Sequence, residues 1–108
     1  MSTGGALLSL PAQARPGDLV ELRVLIAHPM ETGLRSDDAG RTVPRHIIRE
    51  LQIHYAGQEV LRAELSPAIT ANPYLSVSLR ATITAPVVCR WTDDQGREAS
   101  AQAMLRVS

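Results

Sequence analysis

Apolar residues recur mostly at every second position along this chain, the period of a β-strand with one buried face rather than of a helix. In the segment 19–27, Val20, Leu22, Val24 and Ile26 share one face, with Glu21 and Arg23 opposite. Over 48–55, Leu51, Ile53 and Tyr55 oppose Glu50, Gln52 and His54. Over 75–83, Leu75, Val77, Leu79, Ala81 and Ile83 oppose Ser76, Ser78, Arg80 and Thr82. Val87, Cys89 and Trp91 align over 87–92, and Ala99, Ala101, Ala103, Leu105 and Val107 align over 99–107.

Turn chemistry punctuates these runs. Arg15-Pro16-Gly17 precedes the segment 19–27, and Ala56-Gly57-Gln58 joins 48–55 to a short strand near 59–65. Ala85-Pro86 separates the next pair, and Asp93-Asp94-Gln95-Gly96 forms a hairpin turn before the last strand. With a first strand near 6–10, the pattern predicts an all-β, immunoglobulin-like antiparallel β-sandwich of about seven strands. The chain, residues 1–108, is expected to form one domain. The Cys–Trp–Cys arrangement of antibody domains is absent, so the expectation is the wider architecture. No helix longer than a turn is required.

Two stretches break the rhythm. Residues 28–45, HPMETGLRSDDAGRTVPR, lack clean alternation, and their centre at Asp37-Asp38-Ala39-Gly40 reads as a hairpin tip. Loops this long in a small domain are often functional. Residues 66–73, with two prolines, read as an ordered loop crossing between sheets.

Composition sharpens this picture in three ways. There is no Phe, and Tyr55, Tyr74 and Trp91 are the only aromatics, so aliphatic side chains must fill the core. Such a core leaves a thin stability margin that burial against a second subunit would widen. The formal net charge is zero, which argues against nucleic acid or an anionic membrane as partner. Every strongly basic side chain is Arg, which fits either anion capture through a planar fork or a compositional bias.

Catalytic chemistry finds little support. There is no nucleophile elbow to pair with His28, His46 or His54, no spacing of Cys and His that suits zinc, and no phosphate-binding glycine loop. An enzyme is not expected, nor a metal or other cofactor. Asp93 and Asp94 read as residues of a solvated turn. Cys89, the single cysteine, is either a reactive thiol or a small core residue; its phase with Val87 and Trp91 favours the core. His28 and His54 are strand-end or surface residues unless they bind a metal or a proton. Met30 is either an exposed anchor or a plug at the end of the sandwich. The first ten residues carry no signal-peptide pattern, and no apolar run approaches a membrane span.

Three blocks go further. His28 to Tyr55 reads HPMETGLRSDDAGRTVPRHIIRELQIHY, Ser66 to Tyr74 reads SPAITANPY, and Trp91 to Gly96 reads WTDDQG. In order and spacing these resemble the SoxZ family over nearly the whole chain. The departures are Leu34, the Ser36-Asp37 pair and Cys89.

The resemblance implies a non-catalytic scaffold subunit of the SoxYZ sulfur-carrier complex in thiosulfate oxidation. Its partner would be a SoxY-like carrier subunit in a heterodimer, holding sulfur intermediates on the cysteine of a C-terminal glycine-rich arm. Other sulfur-oxidation enzymes would meet this chain through the complex. The chain ends Ala-Met-Leu-Arg-Val-Ser, without such an arm. A periplasmic location, reached bound to an exported SoxY, is expected. Within the blocks, His28, Met30, Glu31, Arg35, Arg45, Asn72 and Tyr74 are the expected partner-contact residues, and Arg35 and Arg45 could attract anionic sulfur groups. Two rivals remain: a thiol carrier or redox protein acting through Cys89, and a generic immunoglobulin-like interaction domain.

Overall fold

The computed structural model describes residues 5–27, 30, 33–43, 46–65 and 74–108. Seven strands appear among them: β1 (Ala6–Ser9), β2 (Leu19–Ile26), β3 (Ile48–Tyr55), β4 (Gln58–Glu64), β5 (Tyr74–Arg80), β6 (Ala85–Asp93) and β7 (Glu98–Leu105). They form two antiparallel sheets, β1-β2-β5 and β4-β3-β6-β7. Placing β5 beside β2 and β6 beside β3 makes the chain change sheets, the Greek-key habit of immunoglobulin-like sandwiches. The expected fold class is what forms.

The alternation in the sequence becomes the inside and outside of the sandwich. Val20, Leu22, Val24 and Ile26 of β2 are buried, as are Leu51, Ile53 and Tyr55 of β3 and Val87, Cys89 and Trp91 of β6. Register stacks these into rows: Leu51 is opposite Trp91, and Ile53 is opposite Cys89. On the far side of β6, Cys89 faces Ala101 and Trp91 faces Ala99. The small alanines of β7 therefore flank the largest core side chain, and the two that face Cys89 and Trp91 pack half-buried against the core.

Three sequence expectations shift at their edges. The strand expected over 75–83 ends at Arg80. Ala81 leaves the ladder to bond the turn before β2, with Ala81 N–H donating to Asp18 C=O at 2.8 Å and Gly17 N–H to Ala81 C=O at 2.7 Å. Beyond it the chain crosses to the other sheet, so Ile83 is 57% exposed rather than in phase with Leu79. Tyr55 receives this crossover: its Oη accepts from the N–H groups of Thr82 (3.1 Å) and Ile83 (3.0 Å) and donates to the Ile83 carbonyl.

Ala85-Pro86 is the start of β6, not a separator. Pairing with β3 begins only at Val87, opposite Tyr55, so Pro86 owes that strand no N–H. At the other end β7 stops at Leu105, and Val107 makes an isolated parallel bridge to Ala14. The loop expected across 66–73 lies outside the described residues.

The expected tip at Asp37–Gly40 is a hairpin turn. Asp37 N–H donates to Arg41 C=O at 2.8 Å, Val43 N–H to Arg35 C=O at 2.8 Å, and Ser36 bridges Thr42. Asp37 Oδ1 accepts from the N–H groups of Ala39 and Arg41, both at 2.9 Å. Gly40 sits at φ 78°, a left-handed position that glycine takes without a Cβ clash.

Candidate functional site

His46, Asp93, Asp94 and Arg97 come together where the chain enters β3. The β6–β7 turn there repeats the hairpin tip almost letter for letter: Asp37-Asp38-Ala39-Gly40-Arg41 against Asp93-Asp94-Gln95-Gly96-Arg97. The bonding repeats too. Asp93 N–H donates to Arg97 C=O at 2.9 Å, and Asp93 Oδ1 accepts from Gln95 N–H and Arg97 N–H at 2.9 Å each. Gly96 has φ 79°, matching Gly40.

The two aspartates differ in burial. Asp37 is exposed, whereas Asp93 is only 4% exposed. The second carboxylate oxygen of Asp93 lies 3.0 Å from His46 Nε2 and 3.6 Å from Arg97 Nε. Burial pushes this carboxyl up, but bonds from Arg97 N–H, His46 and Gln95 N–H outweigh it and hold the group below its ordinary value. The expectation of a solvated turn is therefore corrected for Asp93, which seals the turn against the core. Its neighbour grips the strand beside it: Asp94 Oδ1 accepts from Ile47 N–H at 3.2 Å, and Asp94 N–H donates to Ile47 C=O at 2.9 Å. A bulge at Arg49 shifts the phase of β3, so Ile48 is buried along with Leu51.

An open groove of about 550 Å³ runs beside this turn, lined in part by Arg49, Glu50, Glu64, Asp93 and Asp94. No group of three or more His, Cys, Asp or Glu among the described residues is arranged to hold a metal ion.

Of the expected contact residues, His28, Glu31, Arg45 and Asn72 lie outside the described residues. Met30 is buried at 4% exposure, and its Sδ accepts from Ile48 N–H at 3.3 Å. It plugs the end of the core, the second of the two readings its sequence left open. A soft, unbranched side chain can fill such an irregular gap, even from a backbone at φ 49°. Arg35 is exposed on one limb of the hairpin. Tyr74 opens β5 and is 62% exposed on the outer face of the three-stranded sheet.

Register places Tyr74 opposite Leu25, and Leu25 opposite Leu7. The three make a continuous apolar row across that sheet. Sequence reasoning missed Leu7 and Leu25, although Leu25 carried a signal: it is a large apolar residue in phase with Glu21 and Arg23, on the polar side of β2.

Cys89 is fully buried between the sheets, and burial pushes its thiol up to about 12. At neutral pH it is a protonated core side chain, not a nucleophile.

Fold and site together define an immunoglobulin-like antiparallel β-sandwich whose one thiol is sealed inside. The chain belongs to the SoxZ family: the family model "Sulphur oxidation protein SoxZ" matches residues 8–104. Among solved structures, the sulfur carrier protein SoxY from Chlorobium limicola f thiosulfatophilum superposes with a TM-score of 0.71 at 16% identity, covering 100% of this chain and 83% of that one. Superoxide reductase (Neelaredoxin) from Ignicoccus hospitalis gives 0.71 at 15% identity, covering 97% and 82%. A putative superoxide reductase from Thermotoga maritima gives 0.72 at 14%, covering 95% and 85%. At such identities the likeness is one of fold alone. No curated protein matches the chain in sequence.

Proposed function

We propose that this chain is the non-catalytic scaffold subunit of a SoxYZ sulfur-carrier complex, pairing with a SoxY-like subunit that holds sulfur intermediates on its own cysteine during thiosulfate oxidation. The observation that carries the reading is the family match over 8–104 in a chain whose single cysteine is buried. A covalent sulfur carrier needs an accessible thiolate, and Cys89 is neither accessible nor ionised at neutral pH. A periplasmic location, reached together with an exported partner, belongs to the same proposal. So does a role for Arg35 and Arg45 in attracting anionic sulfur groups, with His28, Glu31, Asn72 and Tyr74 contributing to partner contact.

The test is a tagged pull-down from the native host followed by intact mass of what co-purifies. A stoichiometric partner with a cysteine-bearing glycine-rich tail, carrying sulfur adducts that are absent from Cys89, is the expected result. A lone monomer, or an adduct on Cys89, overturns it. The arginine role is tested separately: Arg35→Ala with Arg45→Ala is expected to slow a reconstituted pathway, and unchanged turnover by a folded heterodimer removes that part.

A further inference from the structure

The two outer faces of the sandwich differ in what they would lose on being covered. On the four-stranded sheet, Arg62 bonds Glu50 at 2.9 Å and Glu59 at 2.8 Å, and Gln52 bonds Glu50 at 2.6 Å. Covering that face would desolvate a charged network. On the three-stranded sheet, the outward positions near the apolar row are Ser9, Arg23 and Ser76, aligned across β1, β2 and β5. Arg23 is neutralised locally by Glu21, at 2.6 Å. This face pairs a compensated charge and small hydroxyls with Leu7 (72% exposed), Leu25 (39%) and Tyr74 (62%).

We infer that the outer face of β1-β2-β5, centred on the Leu7–Leu25–Tyr74 row, is the surface on which the SoxY-like carrier subunit docks. The inference rests on the pairing proposed above and assigns it a face. Two observations favour this occupant. The sulfur carrier SoxY of Chlorobium limicola has the same sandwich fold over the whole of this chain, so a carrier of that kind brings a twisted sheet of its own, and two such sheets can stack about 10 Å apart. The row also borders the family blocks. Leu25 lies two residues before Ala27, where the chain enters the 28–45 block, and Tyr74 is the last residue of the SPAITANPY block.

Size gives a further consequence. β2 has eight residues, β5 seven and β1 four, so the three-strand face spans at most roughly 27 Å by 14 Å. That is at most about 400 Å² of flat area, against about 800 Å² per partner in a standard interface. The sheet face alone is too small, so the carrier must reach beyond it. Tyr74, with an apolar ring and a polar tip, suits the centre of such a contact.

The experiment co-expresses the chain with the SoxY-like subunit of the same host and measures the dissociation constant of the purified pair. Three forms are compared: wild type, Leu25→Glu with Tyr74→Glu, and Met104→Glu as a control on the four-stranded sheet. Circular dichroism and the melting temperature report folding, and Leu7→Ala with Tyr74→Ala is a milder pair should the glutamates unfold the chain.

The expected result is binding weakened about 30-fold or more by the row variants and unchanged by Met104→Glu. Wild-type binding undiminished in folded row variants overturns the face while the pairing stands. Failure of the wild type to bind the carrier at all removes the pairing and the docking face together. A self-dimer of the free chain that the row variants dissociate, with carrier binding retained, makes the face a contact between copies of this chain and overturns the carrier as its occupant.

Discussion

Asp93 Oδ2 lies 3.0 Å from His46 Nε2, and this contact ties the β6–β7 turn to the residue that leads the long irregular block back into β3. The same aspartate holds its own turn through two backbone N–H groups. Asp37 does only the second of these jobs, in solvent. The repeated turn thus provides an internal comparison of one motif in two dielectric settings.

Asp93→Ala is expected to destabilise the fold by about 2–4 kcal/mol, because buried bonds to two N–H groups and to His46 are lost together. Asp37→Ala should cost about 0.5–1 kcal/mol, since water can replace an exposed acceptor. Denaturant melts of the two variants check this, and equal losses would contradict it.

The acid limb of stability should depend on Asp93. Its folded value is held below the ordinary carboxylate value of 3.8. Its contribution is therefore fully present above that pH and is lost as pH falls through the depressed folded value. Asp93→Asn keeps an acceptor for Gln95 and Arg97 but cannot titrate. Its stability curve should be flatter than wild type below about pH 4, as measured by thermal melts across pH.

Cys89 should not react with a thiol reagent in the native protein at neutral pH and should react stoichiometrically once unfolded. Cys89→Ser places a hydroxyl among Ile53, Val87 and Trp91 and should cost about 1–3 kcal/mol. Rapid native labelling would revive a carrier role for this thiol.

Tyr55→Phe removes the hydroxyl that links the end of β3 to the crossover at Thr82 and Ile83. The expected loss is about 1–2 kcal/mol, moderated because water can reach those exposed residues. Burial raises the Tyr55 phenol, but bonds from Thr82 and Ile83 outweigh it and leave it below its ordinary value. Hydrogen exchange of the Thr82 and Ile83 amides should quicken in the variant, and an unchanged rate would count against the latch.

Met30→Ala should cost about 2–5 kcal/mol by opening a cavity at the end of the core. Met30→Leu keeps the volume but deprives the buried Ile48 N–H of its sulfur acceptor, for an expected loss of about 1 kcal/mol. Chemical melts separate the packing part from the acceptor part.

Much of this molecule was legible in the order of its residues. A strand shows alternate side chains to opposite faces, so Val20, Leu22, Val24 and Ile26 declared the inner side of β2 before any partner strand was known. Turn chemistry is equally local: Asp-Asp-x-Gly, with the glycine able to take a positive φ, marked both hairpins. The three blocks beginning at His28, Ser66 and Trp91 carried the family.

Tertiary structure decided what depends on neighbours distant in the chain. The same turn motif is solvated at Asp37 and buried at Asp93 because only the second meets His46, 47 residues away. Met30 became a plug, and Ile83 left the strand phase, because of contacts with Ile48 and Tyr55 that no local pattern contains. The Leu7–Leu25–Tyr74 row exists only through the registers of β1 and β5 on β2. Period and turn propensity act over a few residues, whereas burial, register and the dielectric around a charge are set by whichever strands the fold brings alongside.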